Sequence, residues 1–398
     1  MLTRLGIAAQ RWSTTTPWTN VYGVARSLLA LATAGTLAFN SPGTLFRPAA
    51  GLPPAPYCLG PGRISLFCLV PHDRLWLARW LGVAILLVVA SGWRPRFTAL
   101  FHWWIAFSLF VSATIPDGGD QATSVLTLLM LPVALTDPRR WHWQALPEQT
   151  PTATRHVLRL LALSALLVIR VQVAGIYLNS SIAKLAVTEW RDGTAVYYWI
   201  SQPVFGAPGW LHGILLAVAA TSLGVIAMTW GTLILEFTLG IAIVMPRRSW
   251  KYLLVAGILF HGSIALMMGL ASFSIAMAGA LILYLRPVDQ SFNLNALAQM
   301  VPRLARAGSR YDGKHRSILG GGSSAPAARA VDRDALHASR EPCPGAAAVA
   351  AGHHPPLGRD RLRRARRSAG AEAATAALLP DVGGDDLQPR GHGRERPG

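Results

Sequence analysis

The chain has 398 residues, of which 52% are hydrophobic and only 14% are charged, and its mean hydropathy is +0.35. Because soluble domains carry about 25% charged residues, this composition excludes an ordinary soluble domain and predicts a membrane protein, with the lipid bilayer as its partner. The formal net charge of +18 comes mostly from short basic clusters between apolar runs, which argues against nucleic acid as a partner.

Apolar runs long enough to cross a bilayer recur along the chain. A spanning helix needs roughly 20 mostly apolar residues, or about 17 when it is short, and its backbone must be helical inside the hydrocarbon. We therefore predict an all-α polytopic bundle with about eight spanning helices. The predicted spans are Val21–Phe39, Leu75–Gly92, Thr98–Ile115, Gln121–Thr136, Val157–Leu178, Ser222–Met245, Tyr252–Gly269 and Ala271–Arg286.

These runs divide the chain into a cytoplasmic N-terminal segment (1–20), a transmembrane domain (21–290) and a tail (291–398). The first run lacks a small-residue cleavage site, so we expect it to be retained as a helix. The segment Gln202–Thr221 is interrupted by prolines and a glycine, which predicts a re-entrant or interfacial segment rather than an ordinary span.

Charges in the connecting loops predict the orientation of the bundle. With the N-terminus inside, most basic loop residues face the cytoplasm, as the positive-inside rule requires, although three arginines between Asn40 and Arg74 do not. We therefore expect a multi-pass membrane protein with both termini cytoplasmic. Cys58 and Cys68 would then lie in an outer loop, where an oxidising compartment permits a disulfide; two unpaired cysteines are the alternative.

The tail is rich in Ala, Arg, Gly and Pro and has almost no aromatic residues from about Gly308 onward. Such a composition cannot bury a core, so we predict that residues 291–398 are a disordered basic segment. It is also what GC-rich DNA encodes when read out of frame. Our hypothesis is that the native product ends near Arg303 to Gly308 and that the rest is a frameshifted extension.

Ionisable residues inside predicted spans are costly and therefore mark candidate functional sites. They are Arg170, Glu236 and His261, whereas Arg26 is expected to snorkel to the headgroups. A purely structural interpretation is also open. In it, Arg170 pairs with Glu236 across two helices, and a backbone carbonyl satisfies His261.

The polar stretch SSIAKLAVTEWRDGTAVYYW, residues 180–199, follows the fifth predicted span. Lys184 would lie in an outer polar loop, where it either snorkels or, with a lowered pKa, acts as a base. Trp190 and the aromatic residues after it are also typical of the belt at a membrane interface. Asp192 and Gly193 predict a turn.

The order of these features resembles the HTTM (horizontally transferred transmembrane) domain, which vitamin K-dependent gamma-carboxylases share with many bacterial proteins. The resemblance rests on SIAK ending at Lys184, then Trp190 and Gly193, WGTLILEFTLG with Glu236, and FHGSIALMMGLASFSIAM with His261. Arg26 and IPDGGDQATSVLTLLMLP also fit, and the likeness covers about residues 10–290.

The resemblance implies that Lys184 is a catalytic base and His261 its partner or a contact for a reduced quinone. We take Trp190, Gly193, Glu236 and Arg170 as candidate substrate-binding residues, and we predict no metal. The compact size, the PDGGDQ loop and the RRWHW segment resemble the bacterial sporulation-delaying protein B subfamily. That likeness implies a location in a bacterial cell membrane and a role in maturing a secreted antimicrobial peptide toxin. The expected partners are a peptide precursor and a small partner protein of the same operon.

Three functions therefore remain open. The first is maturation and production of a peptide toxin or bacteriocin. The second is a quinone-coupled oxidoreductase or carboxylase-like enzyme that uses Lys184 as base. The third is a non-catalytic scaffold or a transporter, because intramembrane charges also mark ion pathways. Whether the chain is an enzyme is not decided by its sequence.

Overall fold

The computed structural model describes residues 12, 14–48, 55–146, 152–203 and 206–293. This part of the chain is all-helical, without a strand in the described ranges apart from one isolated bridge between Trp93 and Trp141. Most of the predicted N-terminal segment and nearly all of the predicted tail lie outside the described residues.

Each of the eight predicted apolar runs forms a helix, and several shorter helices connect them. In chain order the α-helices are α1 (Asn20–Phe39), α2 (Pro42–Leu45), α3 (Leu75–Ser91), α4 (Pro95–Ser112), α5 (Gly118–Thr136), α6 (Ala153–Leu185), α7 (Thr188–Arg191), α8 (Ala195–Ser201), α9 (Gly209–Ala219), α10 (Ser222–Ile241), α11 (Arg247–Met268) and α12 (Ala271–Leu285). Short 3-10 helices cover Gly60–Ile64, Leu66–Cys68, His72–Arg74 and Ala242–Val244.

Five of the described helices are long and apolar enough to cross a membrane. They are α1, α6 and α11, together with α3 and α10, each of which is extended by an adjoining 3-10 turn. The helices α4, α5 and α12 form where spans were predicted but do not meet the same criterion of length and composition. Five candidate membrane helices are therefore established, and the number eight stays a prediction.

Helix α12 is the shortest of the eight helices at the predicted spans, and it has the largest share of buried residues among them. Ten of its fifteen residues are buried, and it lies against α1, α5, α6 and α11. Its small residues permit this closeness, because a Cβ on Gly279 would lie 3.1 Å from the Ala25 carbonyl oxygen of α1. A central helix needs apolar residues on every side, which explains a uniformly apolar sequence with no polar face.

One end of the bundle is closed by the strap that follows α5, residues 137–146. Asp137 and Arg139 form a buried ion pair with Nη2 to Oδ2 at 2.7 Å, and His142 donates its backbone N–H to the Gly92 carbonyl. Arg26 is fully buried beside this strap. It donates to the Val89 carbonyl at 3.1 Å and to the Thr98 hydroxyl at 2.6 Å. The prediction that Arg26 snorkels to the headgroups is therefore wrong, because neighbouring helices supply its acceptors.

The other end of the bundle carries the loop between α2 and α3. Cys58 and Cys68 are joined by a disulfide there, and Tyr57 N–H donates to the Ser112 carbonyl at the end of α4. The next helix, α5, begins at this end, with Asp117 and Asp120 forming a capping box. We call this the disulfide end.

Candidate functional site

The residues around Lys184 are helical rather than a loop, which corrects the sequence-based interpretation. Helix α6 runs for 33 residues and ends at Leu185, so Lys184 lies in its last turn. Ser180 and Lys184 are four residues apart and therefore share one face of the helix. The Lys184 ammonium donates to the Ser180 hydroxyl at 2.6 Å.

Lys184 forms an ion pair with Glu236 of α10. Its Nζ lies 2.9 Å from Oε1 and 2.7 Å from Oε2, and Ser180 also donates to Oε2 at 3.2 Å. The Lys184 side chain is 24% exposed and that of Glu236 is 9% exposed. An unpaired charge at this depth would be costly, so the pair neutralises two groups that the apolar helices could not keep singly.

The close approach of α6 and α10 brings these two side chains together. Gly240 lies one turn beyond Glu236, and a Cβ there would lie only 2.6 Å from Leu178 Cγ. Glycine at this position therefore lets the two helices touch, in the manner of small residues between membrane helices. Tyr284 of α12 donates to the Leu239 carbonyl at 2.9 Å and fixes the same turn of α10.

Trp190 and Gly193 belong to the short connection beyond α6. The Trp190 ring centroid lies 5.4 Å from Lys184 Nζ, within range of a cation–π contact. Gly193 has φ of +78°, which glycine adopts readily, and a Cβ there would lie 3.2 Å from Ile226. The structure therefore brings Trp190 to the ammonium group, whereas Gly193 shapes the turn that carries Trp190 over it.

A cavity of about 510 Å³ opens beside the ion pair. Its polar residues are Ser180, Lys184 and Glu236 together with two hydroxyl side chains. The rest of its wall is mainly apolar and includes Trp199, Phe260, Met267, Met268 and Phe273. This combination of one charged corner and aromatic and methionine walls is typical of a site for a largely apolar ligand with a polar group.

A second cavity of about 500 Å³ lies on the other side of Ser180, Glu236 and Phe273, which line both. His261 faces this second cavity, and its Nε2 lies 2.8 Å from the Tyr177 hydroxyl. The expectation that a backbone carbonyl satisfies His261 is therefore wrong for Nε2, and Nδ1 has no hydrogen-bond partner among the described residues. Three carboxamide side chains complete the polar wall: Gln121, Gln172 and Asn179.

The structure does not bring Arg170 to this site. Its guanidinium stacks over Trp250 at 4.8 Å and donates to the Arg286 carbonyl at 3.4 Å, near the opposite end of the bundle. The predicted pairing of Arg170 with Glu236 is wrong, because Lys184 occupies that carboxylate. Lys184, Trp190, Glu236 and His261 are gathered around the two cavities, and Gly193 supports them.

Sequence reasoning missed Tyr177 and Ser180 as members of the site. A signal for both existed, since residues 177, 180 and 184 follow the spacing of one helical face. The three carboxamides carry no comparable signal, because Gln121 comes from α5 and the other two from α6, and only packing brings them together.

These features define a class: an all-helical membrane protein with a recessed lysine–glutamate pair between two cavities at its disulfide end. No protein-family profile matches the chain, so the likeness to the HTTM domain stays a resemblance. No solved structure matches it either.

Two proteins of Bacillus subtilis (strain 168) are similar to the chain. The uncharacterized protein YitO is 40% identical over 303 residues, which is 76% of this chain and 96% of YitO. The sporulation-delaying protein SdpB is 37% identical over 281 residues, which is 70% of this chain and 85% of SdpB. The chain therefore belongs to the SdpB family of sporulation-delaying proteins.

Proposed function

We propose that this protein matures a secreted antimicrobial peptide toxin, using the paired cavities around Lys184 as the place where the peptide precursor is handled. The observation that supports this function is the Lys184–Glu236 ion pair between an apolar cavity and a carboxamide-lined cavity. Membership of the SdpB family agrees with a toxin-related role. The peptide precursor and a small partner protein of the same operon are the expected partners.

The two cavities suit an extended peptide. Carboxamide side chains both donate and accept hydrogen bonds, as peptide groups do, and Gln121, Gln172 and Asn179 offer three of them in the second cavity. The aromatic and methionine walls of the first cavity would receive apolar side chains. A peptide that bridges both cavities would pass directly over Ser180 and Glu236, which line each of them.

The proposed orientation places these cavities outside the cytoplasm. Helix α5 begins at the disulfide end, and its first residue, Gly118, lines the second cavity with Ser180 and Glu236. The Cys58–Cys68 disulfide belongs to the same end, and disulfides persist in oxidising compartments. Together with the basic loops expected at the other end, this supports a cytoplasmic location of both termini.

Lys184 could act as a base only after its ammonium group has lost a proton. Glu236 lies 2.7 Å away and is positioned to accept that proton, which would leave a neutral amine at the edge of the apolar cavity. The Tyr177 hydroxyl and His261 form a second hydrogen-bonded pair on the far side of Glu236. Lys184 and Glu236 can therefore exchange a proton directly, and the Tyr177–His261 pair is a separate hydrogen-bonded pair beside them.

A second candidate function is a quinone-coupled enzyme of the carboxylase-like type, which the apolar cavity beside Lys184 favours. The residues fit a reduced quinone: Trp199, Met267 and Phe273 would contact its apolar part, and Lys184 and Ser180 would face its oxygen. When bound, a reduced quinone supplies electrons for a redox reaction. Lys184 and Glu236 would hold or move the proton at its oxygen.

The test compares secreted peptide from cells carrying the whole operon with wild-type, Lys184→Ala or Lys184→Arg protein at matched membrane levels. Arginine can keep an ion pair with Glu236 but cannot act as a base near neutral pH. Loss of mature peptide in both variants, with the precursor still secreted, is the expected result. Lys251→Ala is the control, because Lys251 is exposed, lies at the opposite end and has its Nζ 4.6 Å from the centre of the exposed Tyr252 ring. Normal peptide from both Lys184 variants would leave a non-catalytic scaffold as the function.

A further inference from the structure

Two guanidinium groups share a cavity at the end of the bundle away from Lys184. Arg170 lies in the middle of α6, and Arg247 is the first residue of α11; both line a cavity of about 280 Å³. Lys184 lies fourteen residues beyond Arg170 on α6, so the two charged groups are about 21 Å apart along the helix at 1.5 Å per residue.

Trp250 fixes the position of both guanidinium groups. Trp250 is 7% exposed, and its Nε1 donates to the Ala242 carbonyl at 2.9 Å, so the ring cannot turn freely. The Cζ atoms of Arg170 and Arg247 lie 4.8 Å and 5.8 Å from its ring centroid. Guanidinium groups stacked on an aromatic ring keep their N–H edges available for a planar or tetrahedral anion.

The charges that line this cavity do not cancel. Arg170 donates a hydrogen bond to the Arg286 carbonyl at 3.4 Å, but no carboxylate in the described part of the chain lies within ion-pair distance of Arg170 or Arg247. Asp289 also lines the cavity. Two cations and one carboxylate leave a net charge of about +1, which an anionic ligand would neutralise.

The wall of the cavity on the α6 side is apolar. Leu163, Leu166 and Leu167 contribute to it, and Leu167 is 43% exposed on the outer surface of the bundle. A ligand in this cavity would therefore meet charge at one side and hydrocarbon at the other. That arrangement fits a molecule with an anionic head and an apolar tail better than it fits a simple ion.

We propose that this cavity binds the phosphate group of an anionic phospholipid. The guanidinium groups of Arg170 and Arg247 donate to the phosphate oxygens, and the acyl chains lie in the surrounding bilayer. Arginine is suited to phosphate because its N–H groups match the spacing of two oxygens. Basic pockets between membrane helices are known binding places for lipid headgroups. The volume lies just below the roughly 300–1,000 Å³ of sites for drug-sized ligands, so it suits a headgroup.

Thermal unfolding of the full-length chain in a neutral detergent tests this site. The ligands are phosphatidylglycerol, phosphatidylcholine and inorganic phosphate, each titrated into wild-type, Arg247→Gln and Arg248→Gln protein. Arg247 is exposed, so its replacement should leave folding intact. Arg248 is its neighbour with the same charge but does not line the cavity, which makes it the matched control.

We expect phosphatidylglycerol to raise the melting temperature of wild type and Arg248→Gln, and phosphatidylcholine to have no comparable effect. Arg247→Gln should bind phosphatidylglycerol at least about tenfold more weakly, since one charge-assisted contact is lost. If inorganic phosphate raises the melting temperature as much as the lipid does, the ligand of this cavity is free phosphate, and the proposal of a lipid is wrong. An unchanged response in Arg247→Gln, or an equal loss in Arg248→Gln, would overturn the site itself.

Discussion

Replacing Glu236 by glutamine tests the energetic role of the Lys184–Glu236 pair. Glutamine keeps the shape and one acceptor oxygen, but it removes the charge that faces the ammonium at 2.7 Å and 2.9 Å. Exposed ion pairs contribute about 0.2–1 kcal/mol, and breaking a fully buried one costs about 3–5 kcal/mol. Lys184 is 24% exposed and can still reach water and Ser180, so the cost falls between these limits. We expect a loss of about 1.5–3 kcal/mol in the free energy of unfolding.

The assay is equilibrium unfolding of both proteins in the same mixed micelles. Asp73→Asn is the control, because Asp73 and Arg74 form an ion pair at 3.8 Å whose side chains are 76% and 67% exposed. This control should change stability by less than about 1 kcal/mol. If Glu236→Gln changes the free energy of unfolding no more than Asp73→Asn does, then the Lys184–Glu236 pair is effectively solvated and the reasoning is wrong.

Three further predictions concern other parts of the fold. Asp137→Asn should lower the free energy of unfolding by about 3–5 kcal/mol, because it leaves the buried Arg139 guanidinium without its carboxylate. A free energy of unfolding within about 1 kcal/mol of the wild-type value would contradict this. Burial lowers the pKa of His142 to about 2 in the folded chain, whereas the unfolded imidazole titrates near about 6.5, so the unfolded state gains protons first as the pH falls. Stability should therefore be about 2 kcal/mol lower at a pH of about 5 than at about 7.5, and His142→Asn should remove that part of the pH dependence. Gly193→Ala should cost about 1–2 kcal/mol of unfolding free energy, because its φ of +78° is strained for alanine. Gly262→Ala inside α11 is the matched control and should be neutral or stabilising, because the new Cβ would meet nothing within 4 Å apart from the local backbone of its own helix.

Apolar length predicted the helices well because a long hydrophobic run has few alternatives to a helix in a membrane. All eight predicted runs are helical, and α6 extends beyond its apolar part to include Lys184. The length of the apolar run did not predict the C-terminal end of α6, because the polar residues from Ser180 onward were interpreted as a loop. Ser180 and Glu236 provide partners for the ammonium, so the helix continues through it.

Partners across helices were not predictable from the runs alone. Arg170 and Lys184 lie on the same helix, fourteen residues or about 21 Å apart, so Glu236 can meet only one of them. Choosing between them requires the relative depth of α6 and α10, which the Gly240–Leu178 contact sets. The partners of Arg26 were not predictable from the apolar runs either. Its acceptors are Thr98 and the Val89 carbonyl, on helices far along the chain.

Site-specific photocrosslinking tests most directly whether the cavity beside Lys184 receives the peptide precursor, as we propose. A photoreactive phenylalanine analogue is placed at Met267, which lines that cavity, or at the adjacent Leu266, which is 57% exposed and lies outside it. Both proteins are expressed with the whole operon, and adducts are identified by mass spectrometry. We expect a precursor adduct from position 267 and little or none from position 266. Equal adducts from both positions, or an adduct from position 266 alone, would contradict it.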